Sequence, residues 1–477
     1  MDKDIADFAV NYALKQGASY AEARLENIKA NGFVLRNGIP ELSGFERNYG
    51  IGIRLISNGV LGFISTDNLK KKDLKALINK SITTQNISKK KENLIFSKSK
   101  SIKDKDILKQ KINFEDISPE EKIKFLNDIE KNIRSDIVPF RYFSLTDHFS
   151  KKYFINSEGT EIYSEIPYIN INYIITIKEF DQTKQRYWQY GNCSGWEATK
   201  SWNISNDLIE QIKILHHNIK YGINPPKKKI DLVVGHEVTG IIVHESCGHP
   251  YEADRIFGRE AAQGGESFIT AKMIGQEISS PIVNIVDEPN IKNYPAYFKY
   301  DDEGVIAKRK YLIKEGKINE LLHNRETSFK LNVKSNGSAR ASSYNKEPIV
   351  RMSNTFMLPG NLTEEELFED IKLGVYMKNF GEWNIDDKRL HQRYVGNECY
   401  LIKNSKIKEP VRSPVLEIST FGFYRAIDAV SNKIEMSAAI CGKGEPIQGV
   451  NVGLGGPLVR LRNIRLRGKI NDSRKNK

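Results

Sequence analysis

Hydrophobic and polar residues follow two different periods near the start of the chain. Apolar residues recur at near-helical spacing over residues 4–16 and Gly17 follows them, which predicts an amphipathic helix. The segment YGIGIRLISNGVLGFIST then shows alternation on both sides of Asn58-Gly59, a dipeptide typical of a tight β-hairpin. A second helix is predicted from about residue 69 to residue 79.

A capping motif marks the next helix. Ser118 is suited to the N-cap, Pro119 to the first helical position, and Glu121 completes a capping box. Runs rich in Tyr and Ile, such as PYININYIITIKEF, predict the strands that follow, and one more helix is expected near residues 207–221. The polar, lysine-rich stretch NISKKKENLIFSKSKSIKDKDILKQK predicts an exposed linker before this helix pair.

Two prolines in GINPPKKK separate the halves of the chain, because they cannot continue a helix. We therefore predict domains at 1–222 and 223–477, with a sub-boundary and linker near 85–115. In the second half IDLVVG predicts a strand, and Val238, Ile241 and Ile242 give the following helix one apolar face. Short β-like pieces follow, with one clear helix capped by Thr363 and Glu366. This mixture predicts the α+β class.

The composition predicts a folded, soluble protein. A chain of 477 residues with 39% hydrophobic residues can build two or three packed cores, which argues against wholesale disorder. The pattern predicts neither a signal peptide nor a membrane helix, so we expect a cytoplasmic protein without a membrane partner. The four cysteines are far apart, which in a reducing compartment favours thiols or metal ligands over disulfides.

The net charge of +13 comes mainly from lysine. Many lysines fall within residues 70–131, and the basic tail RLRNIRLRGKINDSRKNK closes the chain. A nucleic-acid or membrane surface is one interpretation. A solvated lysine-rich face is favoured instead, because no nucleic-acid module is recognisable and aromatic residues do not interleave with the lysines. A nucleic-acid partner is therefore not expected.

The stretch GIIVHESCGHPYEADR carries the candidate chemistry. His244 and His249 flank Glu245, as in a zinc-peptidase helix, but they are five residues apart instead of the usual four. On a straight α-helix two such positions lie about 140° apart around the axis. Both rings could not reach one metal ion without a local irregularity.

Two irregularities would let the rings converge. The helix could end near Gly248, since a residue before Pro250 is pushed out of the α region and glycine readily terminates helices. A π-bulge would serve equally well, because it adds one residue to a turn. From the spacing alone, a pair of histidines capping a helix end stays an equal alternative to a metal site.

The chemistry of a zinc site fits these residue types. Catalytic zinc takes three protein ligands, often imidazole or thiolate, and lowers the pKa of a water in the open position to about 7. Glu245 adjoins the first histidine and could shuttle a proton from that water to a leaving amine. Cys247 lies between the histidines and is a poor geometric candidate for the third ligand.

Several long motifs occur in the second half of the chain, namely HESCGHPYEAD, DDEG at 301–304, RMSNTFMLPG at 351–360, NFGEW at 379–383, and CGKGEPIQGVNVGLGGPLVRLRNIRLRG from Cys441 onwards. These motifs resemble those of one family, the TldD/PmbA family of metallopeptidases. Their order and separation are similar to the family pattern over most of the chain. The resemblance implies a two-part fold, with an N-terminal α+β domain and a C-terminal β-rich metal-binding domain.

The resemblance also implies the site. By position it places His244, His249 and Cys441 on Zn²⁺ and makes Glu245 the general base of a zinc-dependent peptidase. The chain keeps the metal motif, so it resembles the metal-bearing TldD-like member of the pairs found in the family. Cys193, Cys247 and Cys399 are left as small buried thiols.

Three further residues are implied as substrate contacts, namely Arg340, Arg351 and Asn354. For Arg351 and Asn354, structural roles in a salt bridge or a turn stay equally open. The chain also departs from the family pattern. Pro250 stands where glycine is expected, and Ala341 replaces one of two adjacent arginines, which leaves the turn after His249 and the contacts of that loop less defined.

The resemblance implies partners as well. We expect a homodimer, or a heterodimer with a metal-free paralogue, which encloses the site in a chamber that admits unfolded peptides. The alternative is a non-enzymatic regulatory or nucleic-acid-interacting protein, which corresponds to an older label in the family, modulator of DNA gyrase. Zinc content and the salt dependence of DNA affinity distinguish the two.

Overall fold

A computed structural model describes residues 2–41, 44–88, 93–259 and 265–468. Parts of the predicted linker and of the basic tail lie outside these ranges. Within them the chain forms a mixed α+β structure with one large N-terminal sheet and several smaller C-terminal sheets, which confirms the predicted fold class.

The elements of the N-terminal half are, in chain order, α1 (Lys3–Lys15), β1 (Tyr20–Arg36), β2 (Ile39–Pro40), β3 (Gly44–Ser57), β4 (Val60–Thr66), α2 (Lys71–Ile87), β5 (Lys103–Ile107), α3 (Pro119–Ile133), β6 (Phe140–Asn156), β7 (Glu161–Glu179), β8 (Gln182–Asn192) and α4 (Ile204–Tyr221).

The elements of the C-terminal half are β9 (Ile230–Val234), α5 (His236–Val243), α6 (Ala253–Ile256), β10 (Ile285–Asp287), β11 (Lys310–Lys314), β12 (Lys317–Ile318), α7 (Arg325–Lys330), β13 (Ala339–Arg340), β14 (Ile349–Val350), β15 (Asn354–Met357), β16 (Leu373–Met377), β17 (Phe380–Ile385), β18 (His391–Gly396), β19 (Cys399–Lys403), β20 (Lys406–Pro410), β21 (Pro414–Ser419), α8 (Thr420–Ala426), β22 (Ile427–Val430), β23 (Glu435–Lys443), β24 (Gln448–Gly456), β25 (Val459–Ile464) and β26 (Leu466–Gly468).

The N-terminal sheet runs in the order β4-β3-β1-β6-β7-β5, with β2 paired to β1 and β8 to β7. The predicted hairpin is confirmed, since Asn58 (φ 51°) and Gly59 (φ 69°) make the tight turn between β3 and β4. Helices α1 and α2 cover one part of the sheet through residues such as Val10, Leu74 and Ile78. Helices α3 and α4 cover another part and bury a second apolar cluster.

The predicted helices of the N-terminal half occur, with one change of length. The capping box at Ser118 is confirmed, since its side chain accepts a hydrogen bond from the Glu121 amide (3.2 Å) while Glu121 accepts one from the Ser118 amide (2.9 Å). Helix α2 continues eight residues beyond the predicted end, to residue 87. The apolar spacing explains this, because Ile82 extends the buried stripe of the helix by one more turn.

The predicted exposed linker contains a strand. Strand β5 pairs in parallel with β7, although its own sequence KDKDI alternates only weakly. Before it, Phe96 is buried and the Ser97 amide donates a hydrogen bond to the Arg325 carbonyl (2.9 Å). The described part of this segment is therefore packed into the fold. The domain boundaries themselves stay a prediction.

The helix predicted after Thr363 is wrong in length. The capping hydrogen bonds are present, from the Thr363 amide to Glu366 (2.7 Å) and from the Glu366 amide to Thr363 (3.3 Å). Only a 3₁₀ turn over Glu366–Phe368 follows. Asp370 then takes a left-handed conformation (φ 62°) and β16 begins three residues later, which leaves no room for a second helical turn.

Two six-stranded sheets form the centre of the C-terminal half. One runs β12-β11-β10-β15-β24-β23 and the other β20-β19-β16-β9-β25-β22. Helix α5 packs against β24, β15 and β23 of the first sheet. Its apolar face belongs to the largest apolar cluster of the described residues, which also includes residues of β9 and β25. Val238 and Ile242 belong to that cluster, as the pattern predicts. The strand β9 and the helix after it thus have the predicted order and face.

Buried charges join the two halves of the chain. Arg54, on β3, donates hydrogen bonds to Glu22 (2.7 Å) and to Glu303 of the C-terminal half (2.9 Å). Arg325, on α7, is fully buried and donates to the hydroxyl of Tyr20 (3.0 Å) and to Glu158 (2.8 Å). These contacts fix the N-terminal sheet against the half that carries the histidines.

In the ranges that the structure describes, no helix is long and apolar enough to cross a membrane.

The contact between α5 and β24 gives a first testable prediction. A methyl group at Gly240 would lie 2.9 Å from the Cα of Gly455, a backbone atom that cannot move aside alone. We expect Gly240→Ala to lower the free energy of unfolding by about 1–3 kcal/mol, despite the better helix propensity of alanine. The measurement is urea unfolding. Gly32→Ala is the control, since its nearest atom would be 3.9 Å away; equal stabilities of the two variants would contradict the prediction.

Candidate metal centre

The helical segment that carries the histidines contains one extra residue. Helix α5 continues into a π-helical turn over His244–Gly248 and then a 3₁₀ turn over His249–Tyr251. Of the two routes that the sequence left open, the π-bulge is the one that occurs. A helix end at Gly248 is wrong, because Gly248 has φ −56° and ψ −66° and the helical path continues.

The residue before Pro250 stays in the α region, against the sequence expectation. His249 has φ −59° and ψ −44°. Pro250 follows as an early residue of the 3₁₀ turn, where its missing amide hydrogen costs no helical hydrogen bond. Gly248 is needed for packing instead, since a Cβ there would lie 1.9 Å from the Met352 sulfur.

The π turn brings three ligand-type side chains together. The ring centroids of His244 and His249 are 4.9 Å apart, and His249 Nε2 lies 3.4 Å from Cys441 Sγ. Cys441 comes from β23, which lies at the edge of its sheet. One ligand atom from each of the three residues lies within 4.8 Å of the others, and all three residues are buried. The cluster therefore has the size of a metal site with three protein ligands.

The donor set fits a metal ion. Ligand atoms of one tetrahedral zinc lie on the order of 3.5 Å apart, and the pair His249–Cys441 has this spacing. His244 Nδ1 is buried and has no hydrogen-bond partner within the described part of the chain. Buried polar atoms without a partner are rare in folded proteins. This nitrogen is therefore available to a group that the described part of the protein does not supply.

Electrostatics favour the protonation states that a metal requires, namely neutral imidazole and thiolate. Burial lowers the pKa of His244 and of His249. Burial by itself raises the pKa of Cys441, but the nearby His249 and Arg351 outweigh it and lower that pKa to about 7. The three side chains are thus poised to bind a cation.

A buried carboxylate that the sequence analysis did not single out orients His249. Glu252 Oε2 lies 3.1 Å from His249 Nδ1, and the same oxygen accepts a hydrogen bond from Arg255 (2.6 Å). Burial raises the pKa of Glu252, but Lys443 and Arg255 outweigh burial and hold the pKa well below its usual range. A carboxylate on the far nitrogen fixes the tautomer and orientation of a ligand histidine. The sequence contained one signal for this role, namely a carboxylate three residues after His249.

Lys443 connects the two segments that carry the ligands. It lies two residues after Cys441 on β23, and its ammonium group donates to both oxygens of Asp254 (2.7 and 2.9 Å). It also lies 3.3 Å from Glu252. Because Asp254 and Glu252 follow His249 in the chain, this ion pair holds strand β23 against the helical segment.

Glu245 does not belong to the three-residue cluster. Its Oε2 accepts a hydrogen bond from Arg389, which lies in the connection between β17 and β18. Arg389 has a left-handed backbone (φ 65°), and the hydroxyl of Thr420 donates to its carbonyl (2.8 Å). No sequence pattern indicated this partner, because Glu245 and Arg389 lie 144 positions apart in the chain.

The three predicted substrate contacts occupy different environments. Arg351 is buried and donates to the carbonyl oxygens of Gln448 (2.9 Å) and Cys441, so it supports β23 and β24. Asn354 is fully buried and donates to the Glu288 carbonyl (2.8 Å). Both side chains are used within the fold, which favours the structural roles left open above. Arg340 is half-buried and lines a cavity.

The remaining cysteines are buried and free, as predicted. Burial raises the pKa of Cys193 to about 12 and the pKa of Cys247 well above the usual range. Such thiols are poor metal ligands and poor nucleophiles at neutral pH.

Family comparison identifies the class of protein. The PmbA/TldA metallopeptidase domain 1 matches residues 21–84, the central domain matches 112–215, and the C-terminal domain matches 227–468. The chain belongs to the PmbA/TldA metallopeptidase family, and the resemblance seen in its motifs is confirmed.

Curated relatives span nearly the whole chain. A metalloprotease of Methanocaldococcus jannaschii is 30% identical over 451 residues, which cover 94% of this chain and 97% of the relative. A zinc metalloprotease TldD homolog of Saccharolobus solfataricus is 28% identical over 468 residues, covering 97% and 99%. These names describe metalloproteases, and one of them names zinc.

Solved structures share the fold. A protein of Thermotoga maritima described as a modulator of a DNA gyrase superposes with a TM-score of 0.77 at 16% identity, covering 98% of this chain and 100% of that chain. TldE of Thermococcus kodakarensis gives a TM-score of 0.74 at 13% identity, covering 97% and 100%. At these identities the likeness concerns the fold alone.

Proposed function

We propose that this protein is a zinc-dependent peptidase that hydrolyses unfolded peptides or small proteins. The proposed zinc ligands are His244, His249 and Cys441. The observation that carries the proposal is the convergence of two imidazoles and one thiol in a buried cluster, with ligand atoms within 4.8 Å of one another. The name of the Saccharolobus solfataricus relative supports zinc as the metal.

In the proposed reaction the metal activates the reactants, and the protein side chains transfer the proton and hold the groups in position. When bound, zinc supplies a Lewis acid that polarises water and the scissile carbonyl group. Glu245 then accepts a proton from the attacking water and delivers it to the leaving amine. Arg389 engages Oε2 of Glu245 and holds the carboxylate in place, so we assign the proton to Oε1. Glu252 keeps the His249 ring oriented while the substrate reacts.

We also propose that the protein acts as a dimer, either with a second copy or with a metal-free paralogue, and that the dimer encloses the site. The buried position of the three ligands supports restricted access, since His244, His249 and Cys441 are 4%, 3% and 6% exposed. A folded protein domain cannot reach groups at that depth. An extended peptide can, because its backbone is narrow.

The ligand set predicts the effect of removing the thiolate. Cys441→Ala should lower zinc affinity by at least about 10–100-fold. A change in a residue that only orients a ligand already costs that much, and this variant removes a proposed ligand itself. The measurement is zinc content by mass spectrometry, together with competition against a chelator. Cys399→Ala is the matched control, because Cys399 is also a buried free thiol but lies outside the cluster. Undiminished zinc in Cys441→Ala would show that another group is the third ligand.

The proposed role of Glu245 separates catalysis from metal binding. Glu245→Gln keeps the size of the side chain and removes its basicity, so peptide cleavage should fall by roughly 10²-fold or more. Zinc content should stay near that of the parent protein. Steady-state cleavage of an unfolded peptide and metal analysis test both expectations.

Glu41→Gln serves as the control for Glu245→Gln, since Glu41 pairs with Arg36 at the surface, 3.1 Å away. Its activity should be unchanged. Near-normal turnover in Glu245→Gln would mean that another group is the base. Loss of zinc together with activity would mean that Glu245 supports the site instead of catalysing the reaction.

The proposed assembly predicts substrate selectivity. Light scattering should give the mass of a dimer, for the chain alone or for the chain with its paralogue. The dimer should cleave an unfolded polypeptide much faster than the same polypeptide when it is folded. A monomer that digests folded and unfolded forms at equal rates would overturn this proposal without touching the assignment of the zinc ligands.

A further inference from the structure

A large cavity lies between the N-terminal sheet and the strand that carries Cys441. Its volume is about 660 Å³, within the range typical of small-molecule sites. One wall comes from β6 and β7 of the N-terminal sheet, and the opposite wall includes residues 295–298, 300–302, 340–343 and 449–451. The four residues of the proposed catalytic centre do not line it.

Strand geometry separates this cavity from the metal centre. Ile440 lines the cavity, whereas its neighbour Cys441 contacts His249. Successive side chains of a strand point to opposite faces of its sheet, so the Ile440 side chain points away from the proposed metal centre. Ile440 is 56% exposed, which shows that the cavity opens to solvent on this side.

Three aspartates around the cavity are already partnered. Asp302 accepts hydrogen bonds from Lys152 and from the Ala341 amide. Asp106 accepts them from the hydroxyl of Tyr297 (2.9 Å) and from the Lys299 amide, and Asp301 accepts them from backbone amides, including that of Val305 (2.9 Å). Glu26 lies 3.4 Å from the Lys152 ammonium group, and its Oε2 is buried without a hydrogen bond. The three aspartates therefore need no cationic ligand.

Arg340 lacks an acidic partner among the described residues. Its Nη1 donates to the Met352 carbonyl (2.7 Å), and its guanidinium lies 5.0 Å from the centre of the Phe298 ring. Both contacts are with neutral groups. His148, on the facing wall, adds no second charge at neutral pH, because burial and Lys152 lower its pKa to about 4. Arg340 is thus a half-buried cation that makes no salt bridge among the described residues; Asp302 and Asp287 lie near enough to attract it, but they are bound to Lys152 and Lys310.

Tyr168 supplies the second observation. Its side chain is 4% exposed and lines the cavity. In the ranges that the structure describes its hydroxyl makes no hydrogen bond of good geometry, although the side chain of Gln189 lies nearby. A buried hydroxyl without a hydrogen bond has lost its interaction with water, which costs free energy. A ligand that forms a hydrogen bond with it removes this cost. The remaining wall is mixed, with amide and hydroxyl groups such as Asn170 and Thr146 beside the apolar Ile166 and Phe298.

We propose that this cavity is a second, non-catalytic site that binds a carboxylate attached to an apolar body. Arg340 pairs with the carboxylate, because the guanidinium group has the geometry to bind two oxygens at once. The Tyr168 hydroxyl donates a further hydrogen bond, and the apolar wall takes the body of the ligand. A small organic acid and the free C-terminus of an apolar peptide both carry this chemistry.

Calorimetric titration of the full-length protein tests the site. The probes are hexanoate, N-acetyl-leucine and the neutral N-acetyl-leucinamide, each up to about 5 mM. We expect at least one of the two acids to bind and the amide to bind at least about 10-fold more weakly, since hydrogen bonds to charged groups are the strong ones. Binding of hexanoate alone identifies a small acid, and binding of N-acetyl-leucine alone identifies a peptide C-terminus.

Variants assign the binding to Arg340 and Tyr168. Arg340→Met should weaken binding of the acid by about 10-fold or more, and Tyr168→Phe by about 3–10-fold, because the latter removes one hydroxyl only. Arg36→Met, at a surface ion pair, should leave binding unchanged. If Arg340→Met does not fold, Arg340→Lys and Tyr168→Phe provide the test, since each keeps most of the side-chain volume.

Removal of the metal distinguishes this site from the catalytic centre. After treatment with a chelator the acid should bind with the same affinity, because the proposed site contains no metal ligand. Loss of binding after chelation would overturn the proposal, as would equal affinity for acid and amide, unchanged affinity in Arg340→Met, or no detectable binding of either acid. None of these results would bear on the peptidase proposal.

Discussion

The extra residue in the helical turn His244–Gly248 is the constraint on which the site depends. In a straight α-helix His244 and His249 would point about 140° apart, and no strand could place one thiol beside both rings. The π turn removes this mismatch within a single turn. Its surroundings hold it in place, since the Ser246 hydroxyl donates to the Ile242 carbonyl (2.6 Å) and Gly248 leaves room for Met352. An irregular turn of this kind persists only when the packing around it is tight.

Charge balance is the second condition for the site. The buried carboxylate of Glu252 is acceptable because Arg255 and Lys443 both neutralise it. The same ammonium group of Lys443 holds Asp254, so the helical segment and strand β23 share one ion network. The network surrounds His249 on the side away from Cys441. The protein thereby fixes the neighbouring side chains of His249 and Cys441, which come from distant parts of the chain.

Local signals in the sequence predicted the elements but not their assembly. The hairpin at Asn58-Gly59 and the capping box at Ser118 depend on neighbouring residues only, and both occur. The cap at Thr363 also forms, yet the helix behind it does not, because the next strand begins too soon. Strand β5 was missed since its pairing with β7, and not its own pattern, makes it a strand.

The residues of the candidate site also fall into two groups, those that local sequence patterns indicated and those that they did not. The motif around His244 and His249 indicated two candidate ligands, and a bulge was one of two routes to their convergence. Cys441 came from family resemblance, since spacing cannot place a residue 192 positions from His249 beside it. Arg389 carried no sequence signal, because its contact with Glu245 depends on where two loops meet.

The buried arginines between the halves affect how the chain folds while it is being synthesised. Arg54 binds carboxylates on both sides of the boundary, and Arg325 reaches across it to Tyr20 and Glu158 of the N-terminal half. Separating the halves would leave Arg54 without Glu303 and Arg325 without both of these partners, and a buried charge that loses its partner is strongly destabilising. During synthesis the N-terminal half therefore emerges before the residues that pair with its interface charges. An incompletely packed half of this kind is prone to aggregation and proteolysis until the second half has folded against it. The cluster of His244, His249 and Cys441 needs strand β23, so it can form only after that strand has been synthesised.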